Sequence, residues 1–118
     1  MSEKIYDLEE RLLEYAANIV RLIELLANTR AGNHVAGQLL RSGTAALPNH
    51  GEAQSAESAA DFIHKMKVCL KELRESYRWL LLIRRVPLSE SLTEVNKLIK
   101  ESDELIRIFV KSIQTAQS

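Results

Sequence analysis

Cysteine, proline and glycine are scarce in this chain, and it has no excess of either charge. A single cysteine excludes an intramolecular disulfide framework and a zinc site built from cysteines. Two prolines and four glycines leave little turn material, which points to a few long helices. Sixteen Lys and Arg balance sixteen Asp and Glu, which argues against a generic nucleic-acid binder, usually basic as a whole. The longest strongly apolar run, Trp79–Ile83, falls far short of the roughly 20 residues of a membrane span. Met1-Ser-Glu-Lys4 opens an amphipathic segment and does not read as a signal peptide, so a cytoplasmic, reducing compartment is expected. What remains is globular: 118 residues, 46% hydrophobic and 27% charged, enough for one domain over 1–118 with one core.

The apolar positions repeat at helical spacing. Helix 1 is expected over about Ile5 to Ala27, with Ile5, Leu8, Leu12, Tyr15, Ile19, Leu22 and Leu26 spaced 3,4,3,4,3,4. A second stripe, Leu13, Ala16, Val20, Ile23 and Ala27, would widen its apolar face to meet two neighbours. Helix 2, about His34 to Ala53, is rich in small residues (Ala36, Gly37, Ser42, Gly43, Ala45, Ala46) that let helix axes approach closely. Pro48 should kink it, or break it and start a new helix. Helix 3, about Ser58 to Arg85, opens on a Ser58/Asp61 capping pair and carries the seam Phe62, Met66, Cys69, Leu73, Ser76, Leu80 and Ile83. Its end, Trp79–Ile83, is apolar nearly all round, so Trp79, Leu81 and Leu82 are candidates to meet another chain. Helix 4, about Ser89 to Gln114, opens on a Ser91/Glu94 capping box, and 115–118 should fray. Short joints favour antiparallel neighbours, hence an all-α, up-down-up-down four-helix bundle.

Little in the chain suggests catalysis. His50 and His64 lie near Glu57 and Asp61, but Asp61-x-x-His64 has no second copy, so the histidines read as surface or helix-end residues and no metal is expected. Cys69 sits on an apolar seam with no cation or helix N-terminus to lower its pKa, and reads as a small buried hydrophobe. No nucleophile elbow or phosphate loop frames the serines. No catalytic residue, cofactor or small-molecule substrate is expected, and the chain reads as non-enzymatic.

Charge placement says more than net charge. Lys67, Lys71, Arg74, Arg78 and Arg85 are spaced 4,3,4,7, a basic stripe on helix 3. Such a stripe suits phosphate-backbone contact with RNA or DNA, but equally a solvated face or the acidic helix 1 of a neighbouring copy. With a turn near Ser55, pairing of helices 2 and 3 sets Arg41 within a turn of Glu72, Asn49 near Asp61 and Ala45 near Lys65. Gln38, Arg41, Ser42 and Asn49 could then face Lys65, Glu72 and Glu75 as a structural polar network.

Those same residues carry a resemblance. Gln38-Leu-Leu-Arg-Ser-Gly-Thr44, Asn49, Glu52-Ala53, Asp61-Phe-Ile63, Lys65, Leu70-Lys-Glu72, Glu75 and Trp79-Leu80 resemble the bacterial four-helix-bundle family whose early members are encoded in intervening sequences of 23S ribosomal RNA genes. The resemblance implies a left-handed bundle assembled as a homopentamer, of unknown physiological role. It also implies that Arg41, Ser42, Asn49, Glu52, Lys65, Glu72, Glu75 and Trp79 are signature positions of fold and assembly. A protein similar in fold, the accessory variability determinant of diversity-generating retroelements, forms a pentameric barrel and binds nucleic acid and a reverse transcriptase through a basic surface. The expectation is a non-enzymatic homo-oligomer, with nucleic-acid binding through the helix 3 stripe as the alternative.

Overall fold

The structure, a computed structural model, describes the backbone of residues 2–118 and the side chains from Asp7 onward. It is an all-α four-helix bundle: α1 is Ser2–Ile23, α2 Arg30–Gln54, α3 Ala59–Arg85 and α4 Leu92–Gln117. The described residues extend 45 × 23 × 19 Å. The long dimension is what a helix of about 25 residues and its turns require at about 1.5 Å per residue. The seams face inward: Leu12, Tyr15, Ile19 and Leu22 of α1 meet Leu39 and Ala46 of α2, Met66, Leu73, Leu80 and Ile83 of α3, and Val95, Leu105 and Phe109 of α4 in one cluster. Ile5, expected at the head of the α1 seam, lies outside the described residues.

The expected second stripe of α1 holds only in part, with Ile23 packed against the core. Ala16 is buried, but Leu13 and Val20 are 49% and 43% exposed. They sit on the outer face of a helix whose neighbours cover only the side centred on Leu12, Tyr15 and Ile19.

The helix boundaries depend on caps. The α1 helix stops at Ile23, short of Ala27, because the Ala27 amide donates to the Leu88 carbonyl (2.8 Å) and ties the first turn to the third. The α2 helix starts at Arg30, four residues before His34, since the Thr29 hydroxyl accepts from the Gly32 amide at 3.0 Å. A Cβ at position 32 would lie 1.9 Å from the Ala27 carbonyl oxygen, so only glycine fits there. Ser58 caps α3 as expected, accepting from the Asp61 amide (3.1 Å). The Asp61 carboxylate answers to Glu57, one residue further out (3.2 Å). Ser91 stands at the N-cap of α4 but its side chain makes no cap bond; its amide donates to Ser89 Oγ (3.0 Å), so the expected capping box with Glu94 is absent. Helix α4 runs on to Gln117, past the expected fraying point.

The α2 helix passes through Pro48 without a break. The small residues split into two kinds. A Cβ on Gly43 would come within 2.8 Å of Ile19 Cγ2, so this glycine lets α1 and α2 approach closely. Gly37 and Gly51 have open space around them and serve no such contact.

The two kinds of glycine should respond oppositely to alanine. Gly43→Ala gains helix propensity but must push Ile19, stiff at its β-branch, and is expected to cost about 1 to 3 kcal/mol net. Gly37→Ala meets nothing and should stabilise by up to about 1 kcal/mol. Urea unfolding of both variants checks the pair.

Candidate functional site

The polar residues between α2 and α3 form one salt-bridged cluster and several separate contacts. Arg41 reaches across to Glu72 (3.2 and 3.4 Å) and, with its other guanidinium nitrogen, to Glu75. Trp79 Nε1 donates to the same Glu75 carboxylate (3.3 Å), and His34 lies edge-on to the Trp79 ring at 6.1 Å. Partial burial pushes the Glu75 carboxyl up, yet the hydrogen bonds from Arg41 and Trp79 outweigh it and leave it below its ordinary value. Asn49 and Lys65 do not join this cluster. Asn49 bonds the Ala45 carbonyl of its own helix (2.8 Å), and Lys65 pairs with Asp61 one turn back (3.0 Å). Gln38 is half-buried and Glu52 exposed.

A second polar group lies deeper. Each helix puts one hydroxyl into the core: Tyr15, Ser42, Ser76 and Ser102, all at 2% exposure or less. Ser76 Oγ lies 2.8 Å from Ser42 Oγ. Tyr15 OH lies 2.6 Å from Ser102 Oγ, which donates to the Leu98 carbonyl (2.7 Å), so the phenol is the donor of that pair. Burial pushes the Tyr15 phenol up to about 12, against the opposing bonds of Ser102 and Ser76. Burial likewise pushes the Cys69 thiol up to about 12, and its sulfur faces the Ala46 carbonyl at 3.6 Å. These are structural hydroxyls and a protonated thiol. Ser76 was legible as a seam residue, but its polar partner depends on how the helices face one another.

His50 corrects a sequence expectation. It is 1% exposed and not a surface or helix-end residue. Because α2 continues through Pro48, position 50 falls on the inward face with Ser42, Gly43, Ala46 and Ala53. Its ring packs edge-on against Phe109 (6.0 Å), and its Nε2 lies 3.2 Å from Gln54 Nε2. Among the described residues its Nδ1 has no hydrogen-bond partner, with Glu9 Oε1 at 3.9 Å. His34 and His64 are exposed. Among the described residues no three His, Cys, Asp or Glu side chains gather as metal ligands.

The outer surfaces are sharply divided. Lys67, Lys71, Arg74, Arg78 and Arg85 are all exposed on α3, and none forms an ion pair among the described residues. Between α3 and α4 runs a shallow groove of about 360 Å³ lined by Lys67, Leu70, Lys71, Arg74, Val110 and Ile113, among others. On the α1–α4 side, Arg11 bridges Glu101 (2.6 Å) and Glu104 (3.1 Å), a contact that the sequence pattern did not suggest. At one end, where Ala27 meets Leu88, Leu25, Leu82, Val86 and Leu92 are exposed at 57%, 39%, 53% and 39%. Of the three apolar residues expected to meet another chain, Leu82 is exposed, whereas Trp79 and Leu81 are half-buried. No described helix is long and apolar enough to cross a membrane.

Comparison with known proteins finds both a family and similar solved structures. The sequence model of the 23S rRNA-intervening sequence protein family matches residues 6–111. The crystal structure of a protein of unknown function from the S23 ribosomal protein family of Bacteroides thetaiotaomicron is similar throughout. The two share 32% identity with a TM-score of 0.83, over 97% of this chain and 99% of that one. No curated protein matches.

His50 makes stability depend on pH. Burial holds its imidazole below the ordinary 6.5, against the upward pull of Glu9. The unfolded chain therefore takes up this proton at higher pH than the folded chain, and stability falls as pH drops through about 6.5. Asp61 and Glu75 have folded values below their ordinary 3.8 and 4.5, so their stabilisation is withdrawn only at lower pH. Tm should fall between about pH 7.5 and about pH 5.5, and His50→Leu should flatten that change.

Proposed function

The chain belongs to the 23S rRNA-intervening sequence protein family, and on that premise we propose a non-enzymatic structural protein that assembles with copies of itself. Its unit is an antiparallel, left-handed up-down-up-down bundle, its assembly a homopentamer, and its compartment the cytoplasm. Antiparallel packing is supported by the partner order. Arg41 meets Glu72 and Glu75, and Ala46 meets Cys69, so numbers rise on α2 as they fall on α3. The 3,4 seam spacing supports a left-handed twist. The count of five comes from the family resemblance.

The exposed apolar end carries the assembly reading. Single exposed leucines are ordinary on a soluble surface, but Leu25, Leu82, Val86 and Leu92 share one end around the Ala27–Leu88 contact. A protein without a partner there would leave these side chains in water. The chemistry supports a non-catalytic role: the buried hydroxyls bond one another and backbone carbonyls, and burial keeps the Cys69 thiol protonated.

A second reading, an accessory protein for RNA or DNA, rests on the unpaired α3 stripe. Phosphate contacts need charge and no base code, and a ring would repeat the stripe on every subunit.

Light scattering after size exclusion tests the first reading. A mass of five times 13.4 kDa, about 67 kDa, is expected, and 13.4 kDa would refute it. Val86→Glu with Leu92→Glu should lower the mass without unfolding the bundle, because both side chains are at the surface. For the second reading, anisotropy of a labelled RNA should show binding that weakens steeply with salt and is lost in Lys71→Glu with Arg78→Glu. Binding indifferent to salt would reject it.

A further inference from the structure

The outer face of α1 carries a pattern that the bundle itself does not use. Glu10, Leu13, Ala17, Val20 and Glu24 are spaced 3,4,3,4, a second heptad stripe on the side away from the core seam. Leu13 and Val20 are half in water, Ala17 lies between them, and a glutamate bounds each end. The diagonally opposite corner of the bundle has the converse pattern. There the α3–α4 groove has an apolar floor of Leu70, Val110 and Ile113, and a wall of Lys67, Lys71 and Arg74. The cationic wall from Lys67 to Arg74 spans about 10 Å of helix, the same as the seven residues from Leu13 to Val20.

The geometry points to the outer face of α1 from a second copy of this chain as the occupant of the α3–α4 groove. This rests on the assembly proposed above and adds to it a second contact, beside the exposed end at Leu25, Leu82, Val86 and Leu92. Leu13 and Val20 would lie over Leu70, Val110 and Ile113, with Glu10, Glu14 and Glu24 against Lys67, Lys71 and Arg74. Within one chain these surfaces cannot meet, because α1 and α3 each pack on α2 and α4 and so stand diagonally apart. The contact is therefore head-to-tail. Each copy offers α1 to one neighbour and its groove to the next, an arrangement that makes a ring where the rotation between copies closes. The groove chemistry favours a helix over a nucleic-acid strand. Its floor is aliphatic, with no aromatic side chain among its lining residues for a base to stack on. Charge complementarity would set the order of the partners, while the apolar strip would supply burial.

Charge reversal tests this by solution mass. The wild type is compared with Lys71→Glu/Arg74→Glu, with Glu10→Lys/Glu24→Lys, and with the chain carrying all four substitutions. All four positions are exposed, and circular dichroism melts confirm that each variant folds. Each two-site variant should fall to the 13.4 kDa monomer, and the four-site chain should recover the wild-type mass because its signs match again. If the wild type assembles and both two-site variants keep its mass, assembly stands and this contact is refuted. If the four-site chain stays monomeric, complementarity is refuted. A monomeric wild type refutes the assembly reading itself. If that monomer also binds RNA, and Lys71→Glu/Arg74→Glu abolishes the binding, the groove belongs to nucleic acid.

Discussion

Four hydroxyl groups shut inside an apolar core need hydrogen-bond partners, and the pairs they make across helices tie the register of the bundle to them. A buried hydroxyl without a bond costs about 1 to 3 kcal/mol, more than a typical bond gains. Ser42 and Ser76 meet across α2 and α3, and Tyr15 and Ser102 meet across α1 and α4. Sliding either partner by one helical turn moves its hydroxyl about 5.4 Å and breaks the pair. Leucine and isoleucine seams tolerate such a slip far better, since one apolar side chain can replace another. The hydroxyls thus select one alignment among several that the hydrophobic pattern would allow.

With register fixed, the rest of the α2–α3 side follows. Arg41 falls opposite Glu72 and Glu75, and Glu75 in turn holds Trp79. Gly43 falls opposite Ile19, where a missing Cβ lets α1 and α2 close together. Exposed ion pairs of this type contribute little each, about 0 to 1 kcal/mol, so the cluster orders the surface more than it stabilises the fold. His50 is the costly member of the same face: a buried ring whose Nδ1 is unpaired among the described residues, its pKa lowered by burial.

The outside divides as cleanly as the inside. Acidic residues border an apolar strip on α1, and cations border an apolar groove between α3 and α4. Leu13 and Val20 on α1 and the end at Leu25, Leu82, Val86 and Leu92 stay exposed, whereas Leu70 and Ile113 of the groove floor are buried within the chain.

The sequence by itself determined the number of helices, their inward seams, the Ser58 cap and the burial of Cys69, because each depends on local spacing or on neighbours within a turn. It also placed Arg41 beside Glu72 and Glu75, since a short turn near Ser55 leaves α2 and α3 little choice. Other features were decided only by tertiary structure. Whether Leu13 and Val20 count as core depends on how far the neighbouring helices wrap α1. Whether His50 is inside depends on α2 surviving Pro48, and a missing hydrogen bond there is outweighed by the packing of the whole helix. Asn49 and Lys65 turned to their own helices because a partner one turn away needs no alignment between helices. Arg11 with Glu101 and Glu104, and Tyr15 with Ser102, join residues some 90 positions apart. No periodicity encodes such pairs; they exist only once all four helices have taken their rotation and register.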